Sequence, residues 1–103
     1  MKLFDVADVI RSKNSGPYEF TFDIIFKDFE TFEKIANANI INKSMFAKLY
    51  SIKEEDILDI VNFKPAKAIK ITIVRPICSG DLGERDVYGA QQHYPLLTFE
   101  FSL

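Results

Sequence analysis

The segment that most constrains this chain is Tyr18-Glu19-Phe20-Thr21-Phe22-Asp23-Ile24-Ile25-Phe26-Lys27, in which Tyr18, Phe20, Phe22, Ile24 and Phe26 alternate with mostly polar residues. Successive side chains on a strand point to opposite faces, so this period of two predicts a strand with one buried face. Such a face has to be covered by a second layer. Asp23 falls on the opposite face, where a carboxylate is either solvated or paired.

The covering layer follows directly. Asp28 can cap a helix from Phe29 to about Ala38, with Phe29, Phe32, Ile35 and Ala36 on one stripe. Glu30 and Glu33 sit near its start, where the helix dipole favours them. A second helix is predicted after Asn42, because Met45, Phe46, Leu49 and Tyr50 share a stripe that excludes Lys43 and Lys48. That stripe reads as core and not as a cofactor box. Ile57 to Phe63 is β-rich but interrupted by Asp59 and Asn62. Lys64-Pro65-Ala66-Lys67 breaks it before Ala68-Ile69-Lys70-Ile71-Thr72-Ile73-Val74 resumes a clean alternation. Arg75-Pro76 ends that second strand, since proline cannot donate to a ladder.

The flanks are less regular. Phe4 to Ile10 reads as a short helical turn after a brief extended start, and Arg11-Ser12-Lys13-Asn14-Ser15-Gly16-Pro17 as a loop punctuated by Gly16-Pro17. Ile77 to Tyr94 carries Gly80, Gly83 and Gly89 and no sustained apolar period, apart from a helical turn expected near Val87 to His93. Irregular stretches of this length are uncommon in small domains and are often functional. Leu97, Phe99, Phe101 and Leu103 alternate again, so a closing strand is expected, tied into the sheet through Leu103. This order predicts an α+β fold: a ferredoxin-like sandwich, with a mainly antiparallel sheet, helices on one face and a long irregular crossover before the last strand. At 103 residues and 48% hydrophobic, the chain has material for one core, so residues 1–103 are expected to form a single domain.

Charge and special residues exclude several functions. A net charge of −2 and a pI near 5.3 give no electrostatic reason to expect nucleic acid or an anionic membrane as partner. The single cysteine, Cys78, allows neither an internal disulfide nor a Cys-x-x-Cys pair and reads as an inert small side chain. The start of the chain has no signal-like apolar run and no window reaches membrane-helix length, so a cytoplasmic protein is expected. Nucleophile elbows and phosphate-binding Walker loops are absent from the sequence, and Ser79-Gly80-Asp81-Leu82-Gly83 is too short and wrongly placed for a dinucleotide fingerprint. One histidine cannot make a multi-histidine metal site, and Asp81, Glu84 and Asp86 lack EF-hand spacing; neither metal nor cofactor is expected.

Two polar stretches remain as candidate sites. Arg11, Ser12, Lys13, Asn14 and Gly16 concentrate donors that suit a carboxylate or phosphate, with Arg11 offering bidentate contacts and Lys13 a point charge. The plain alternative is a solvated turn beside a strand. Asp86-Val87-Tyr88-Gly89-Ala90-Gln91-Gln92-His93-Tyr94-Pro95 carries the sole histidine and two side-chain amides. His93 is the candidate acid or base, Gln91 and Gln92 candidate orienters of a carbonyl or carboxylate, and Gly89 a point of close backbone approach. Tyr88 and Tyr94 add apolar faces with hydroxyl tips. The alternative is a histidine satisfied by backbone at a strand entrance.

Leu3-Phe4-Asp5 leading to Val9-Ile10-Arg11-Ser12-Lys13-Asn14-Ser15-Gly16-Pro17 carries a resemblance, together with Asp23-Ile24-Ile25-Phe26, Ala68-Ile69-Lys70-Ile71-Thr72-Ile73 and Asp86 to His93. On these motifs the chain resembles domain-of-unknown-function family 4387, small bacterial proteins that accompany AtuA-like proteins of acyclic terpene utilisation. The resemblance implies a companion subunit in carboxylate or acyl-CoA catabolism. The opening Leu3-Phe4-Asp5, the helix pair and the closing strand also resemble the carboxy-terminal ferredoxin-like domain of AtuA-like proteins. The loop there reads Arg-Ser-Gly-Asp-Lys-Gly, where this chain has Arg11-Ser12-Lys13-Asn14.

Two readings follow. In the first, the chain is the accessory small subunit of a two-component catabolic enzyme of hydro-lyase or isomerase type with an AtuA-like partner. Arg11, Lys13 and Asn14 then hold an anionic small molecule, and Gln91, Gln92 and His93 complete the site. In the second, it is a ligand-sensing or structural module that self-associates through a sheet edge or exposed aromatic residues, without catalysis.

Overall fold

The computed structural model describes residues 1–16, 18–74, 94–97 and 99–102. In chain order they form a helical turn α1 (Leu3–Val6), strands β1 (Ala7–Gly16) and β2 (Glu19–Phe26), and helices α2 (Phe29–Asn37) and α3 (Lys43–Tyr50). Strands β3 (Ile57–Phe63) and β4 (Ala68–Val74) and a helical turn α4 (Tyr94–Leu97) follow.

The alternating aromatic segment becomes β2, an inner strand. Its partners are β1 on one side and β4 on the other, and β3 lies beyond β4, so the sheet order is β1-β2-β4-β3 with every pairing antiparallel. β2, the helices, β3 and β4 therefore make a split β-α-β unit, with β4 inserted between β2 and β3. The chain is thus α+β, with a four-stranded antiparallel sheet.

Phe20, Phe22, Ile24 and Phe26 of β2 are buried with Ile69, Ile71 and Ile73 of β4 and with Phe32, Ile35 and Phe46 of the helices. Phe22 meets Phe46 and Tyr50 at 5.1 Å each, and those two rings stack at 4.5 Å, which fastens α3 to the central strand. Each fully buried phenylalanine contributes about 1.5–3 kcal/mol relative to leaving it in water. Burial pushes the Tyr50 phenol up, against a smaller opposing pull from a backbone hydrogen bond at Leu96.

Both long helices begin on side-chain caps. Asp28 Oδ1 accepts from the Thr31 backbone N–H at 2.7 Å. That bond, aided by the Thr31 hydroxyl, holds the Asp28 carboxyl below its ordinary 3.8. Asn42 Oδ1 accepts from Met45 N–H at 2.8 Å while Nδ2 donates to the Asn39 carbonyl at 2.8 Å.

Two segments depart from expectation. The stretch expected as a loop, Arg11 to Gly16, belongs to β1, and α1 precedes it, so Ala7 to Ile10 are already extended. An edge strand needs only its backbone ladder and tolerates charge on its outer face, so it shows little apolar alternation. The expected closing strand is replaced at Leu97 by α4, whose Leu96 is fully buried. Adjacent apolar residues at Leu96 and Leu97 do not fit a period of two, and a helical turn places one of them in the core. The alternation at Phe99 and Phe101 pairs with the start of the chain. Leu3 N–H donates to the Phe99 carbonyl at 3.0 Å and Phe101 N–H to the Met1 carbonyl at 2.9 Å, around a bridge between Lys2 and Glu100. The expected crossover through Tyr88 and His93, and Leu103, lie outside the described residues.

Candidate functional site

Strand alternation gives the sheet two unlike faces. Facing pairs in register share a side, so Phe22 and Ile24 place one face against the helices, and Thr21, Asp23 and Ile25 place the other away from them. Three rows cross this outer face. Val9, Ile25, Ala68 and Phe63 form an apolar row, Arg11, Asp23, Lys70 and Val61 a charged one, and Lys13, Thr21, Thr72 and Asp59 a hydroxyl-rich one. Directly opposed side chains sit about 4.5–5.5 Å apart at Cβ, so Arg11 and Lys70 both flank Asp23.

Arg11 Nε donates to Asp23 Oδ2 at 3.1 Å. The arginine side chain is 59% exposed, whereas that of Asp23 is 9% exposed. The pair therefore joins an enclosed carboxylate to a guanidinium whose terminal nitrogens, among the described residues, bind no further acceptor. Thr21, one pleat away, is 6% exposed, and among the described residues its hydroxyl has no hydrogen-bond partner. Lys13 and Lys70 are exposed beside them. The chemistry on offer is an anion-binding surface, with cations from β1 and β4 around a buried carboxylate and hydroxyl of β2.

The residues expected to form one donor loop are divided by the strand. Arg11 and Lys13 share the outer face, whereas Ser12 is buried on the helix side opposite Phe22. Asn14 and Gly16 pair with Phe20 and Glu19 at the end of β1, across a register shift. Tyr88, Gly89, Gln91, Gln92 and His93, and also Cys78, lie outside the described residues. Lys70, Thr21 and Thr72 were not anticipated as site members. Their signal was a polar residue at every second position of two apolar strands, but which polar positions meet depends on register.

A second concavity, a groove of about 680 Å³, lies beside α3 with a floor of Ile40, Met45, Leu49, Phe99 and Phe101. Its rim residue Asn42 is already committed to capping α3. Among the described residues no group of three His, Cys, Asp or Glu side chains is placed to hold a metal ion, and no helix is long and apolar enough to cross a membrane.

A family model described as domain of unknown function (DUF4387) matches residues 3–100. No curated protein and no solved structure matches.

Proposed function

The chain belongs to the DUF4387 family, and from that premise we propose that it is the small, site-completing subunit of a two-component cytoplasmic enzyme with an AtuA-like partner. The reaction class is hydro-lyase or isomerase, and the substrate a carboxylate or acyl-CoA whose anionic group meets Arg11 and Lys13. The observation that carries this reading is the Arg11–Asp23 pair, with its carboxylate enclosed and its guanidinium exposed. A buried counter-charge fixes the arginine at Nε and leaves its terminal nitrogens to a ligand.

Ligand sites are concave and enclose most of what they bind. An outer sheet face supplies one wall, and a larger subunit supplies the other. The exposed Val61 and Phe63 beside the charged row give that subunit apolar area to cover. Tyr88, Gly89, Gln91, Gln92 and His93, which lie outside the described residues, are the second half of the proposed site, with His93 as acid or base. The split β-α-β unit supports a ferredoxin-like reading of the fold, with β1 at the edge beside β2.

The test is reconstitution with an AtuA-like protein. A stable complex by light scattering after size exclusion is expected, with Arg11→Ala and His93→Ala remaining folded and abolishing turnover. Normal turnover from both variants removes the proposal. A self-oligomer that ignores the partner selects the structural-module reading, which the exposed Leu58, Val61 and Phe63 of the edge strand β3 favour.

A further inference from the structure

We propose that the Thr21–Asp23 strip recognises a hydroxyl on the ligand beside its carboxylate, so that the substrate class is a hydroxycarboxylate. This inference rests on the reading that the outer sheet face holds a carboxylate.

The argument starts from what each group can still bind. An ionised carboxylate only accepts hydrogen bonds. Asp23 Oδ2 accepts from Arg11, and among the described residues Oδ1 has no donor, although the residue is 6% exposed. Thr21 is as enclosed, with a hydroxyl able to donate and accept. Buried polar groups are paired in the great majority of cases, and exceptions call for an explanation. Here, among the described residues, a hydroxyl without a partner and a carboxylate oxygen without a donor sit on one strand, two residues apart and on one face.

Their neighbours decide the ligand. Arg11 and Lys70 flank Asp23, Lys13 and Thr72 flank Thr21, and the nearest further carboxylate in these rows is Asp59 of the edge strand. A second anion placed on Asp23 itself is repelled, so the ligand's own carboxylate belongs with the cations. What Asp23 accepts is a donor. A ligand ammonium there is disfavoured by the two cations on either side, whereas a neutral hydroxyl is not. One molecule meets both demands when it carries an anionic group and a hydroxyl a bond or two away, as 2- and 3-hydroxy acids do.

The full chain, alone and with its partner, is titrated with 3-hydroxybutyrate and with butyrate while the backbone amides of Thr21, Asp23, Lys70 and Thr72 are followed by NMR. The hydroxy acid is expected to bind at least about 10-fold more tightly, the worth of one hydrogen bond to a charged group. Thr21→Val, which keeps the side chain's shape, and Asp23→Asn are expected to erase most of that preference. If either variant does not fold, the comparison of the two acids on the unaltered protein decides. Equal affinity for both acids, still lost in Arg11→Ala, overturns the hydroxyl inference and leaves the carboxylate reading standing. No shift at these amides with either acid, alone or with the partner, overturns both.

Discussion

Removing Arg11 leaves Asp23 as an enclosed charge without its counter-ion, whereas removing Lys13 only uncovers solvated strand. Hydrogen bonds to charged groups contribute about 1.5–3 kcal/mol, while substitutions at exposed positions mostly stay within about 0.5 kcal/mol. Arg11→Met is therefore expected to lower unfolding stability by about 1–2 kcal/mol, less than for a wholly buried pair because the guanidinium is exposed. Lys13→Met should change stability little. Urea titration with an unchanged slope checks this, and equal midpoints for the two variants would show that the pair contributes nothing. At this scale the sequence marked Asp23 as outward-facing, and the register places Arg11 and Lys13 on that same face. It misplaced Ser12, because a run of donors looks uniform until the backbone is known to be extended, and an extended backbone turns alternate residues to opposite faces.

The elements that were legible have their own local signals: caps at Asp28 and Asn42, stripes at Phe32 and Ile35 and at Phe46, and period-two apolar runs in β2 and β4. β1 and the residues from Leu96 to Phe101 were not legible, because their partners are distant in sequence and their own patterns are weak. The caps make two predictions. Asn42→Ala removes the cap bond of α3 and the bond to the Asn39 carbonyl, and should cost about 1–2 kcal/mol, read from a lowered melting temperature. Asp28 has a folded carboxyl below its ordinary 3.8, so its contribution is present above that value and is lost as pH falls through the lower folded one. Asp28→Asn retains an acceptor for the cap without the titration. The acid limb of stability against pH, followed by circular dichroism between about pH 2 and 5, should be shallower in Asp28→Asn than in the unaltered chain. Superimposable limbs would show that the cap bond discriminates between the protonation states too weakly to matter.

Taken as a whole, the molecule is held by rings from three elements that meet on the helix side of the sheet, which separates this packing from the proposed site on the outer face. Tyr50 sits at that junction, stacked on Phe46, edge-on to Phe22 and bonded to the backbone at Leu96. Its phenol is pushed above the ordinary 10.0 by burial, so the folded state holds its proton to higher pH than the unfolded state does. The sign follows: the contribution is complete below about pH 10 and declines above it. There the unfolded chain ionises and the folded one does not, at up to about 1.4 kcal/mol per pH unit. Tyr50→Phe keeps the ring contacts and removes the titration. At neutral pH it should cost about 1 kcal/mol for the lost hydrogen bond. Between about pH 9.5 and 11 the two curves should converge, because the remaining tyrosines titrate in both proteins and cancel in the difference. A gap that stays constant across that range would place the Tyr50 hydroxyl in contact with solvent in the folded protein, and would loosen the junction that ties α3 to α4.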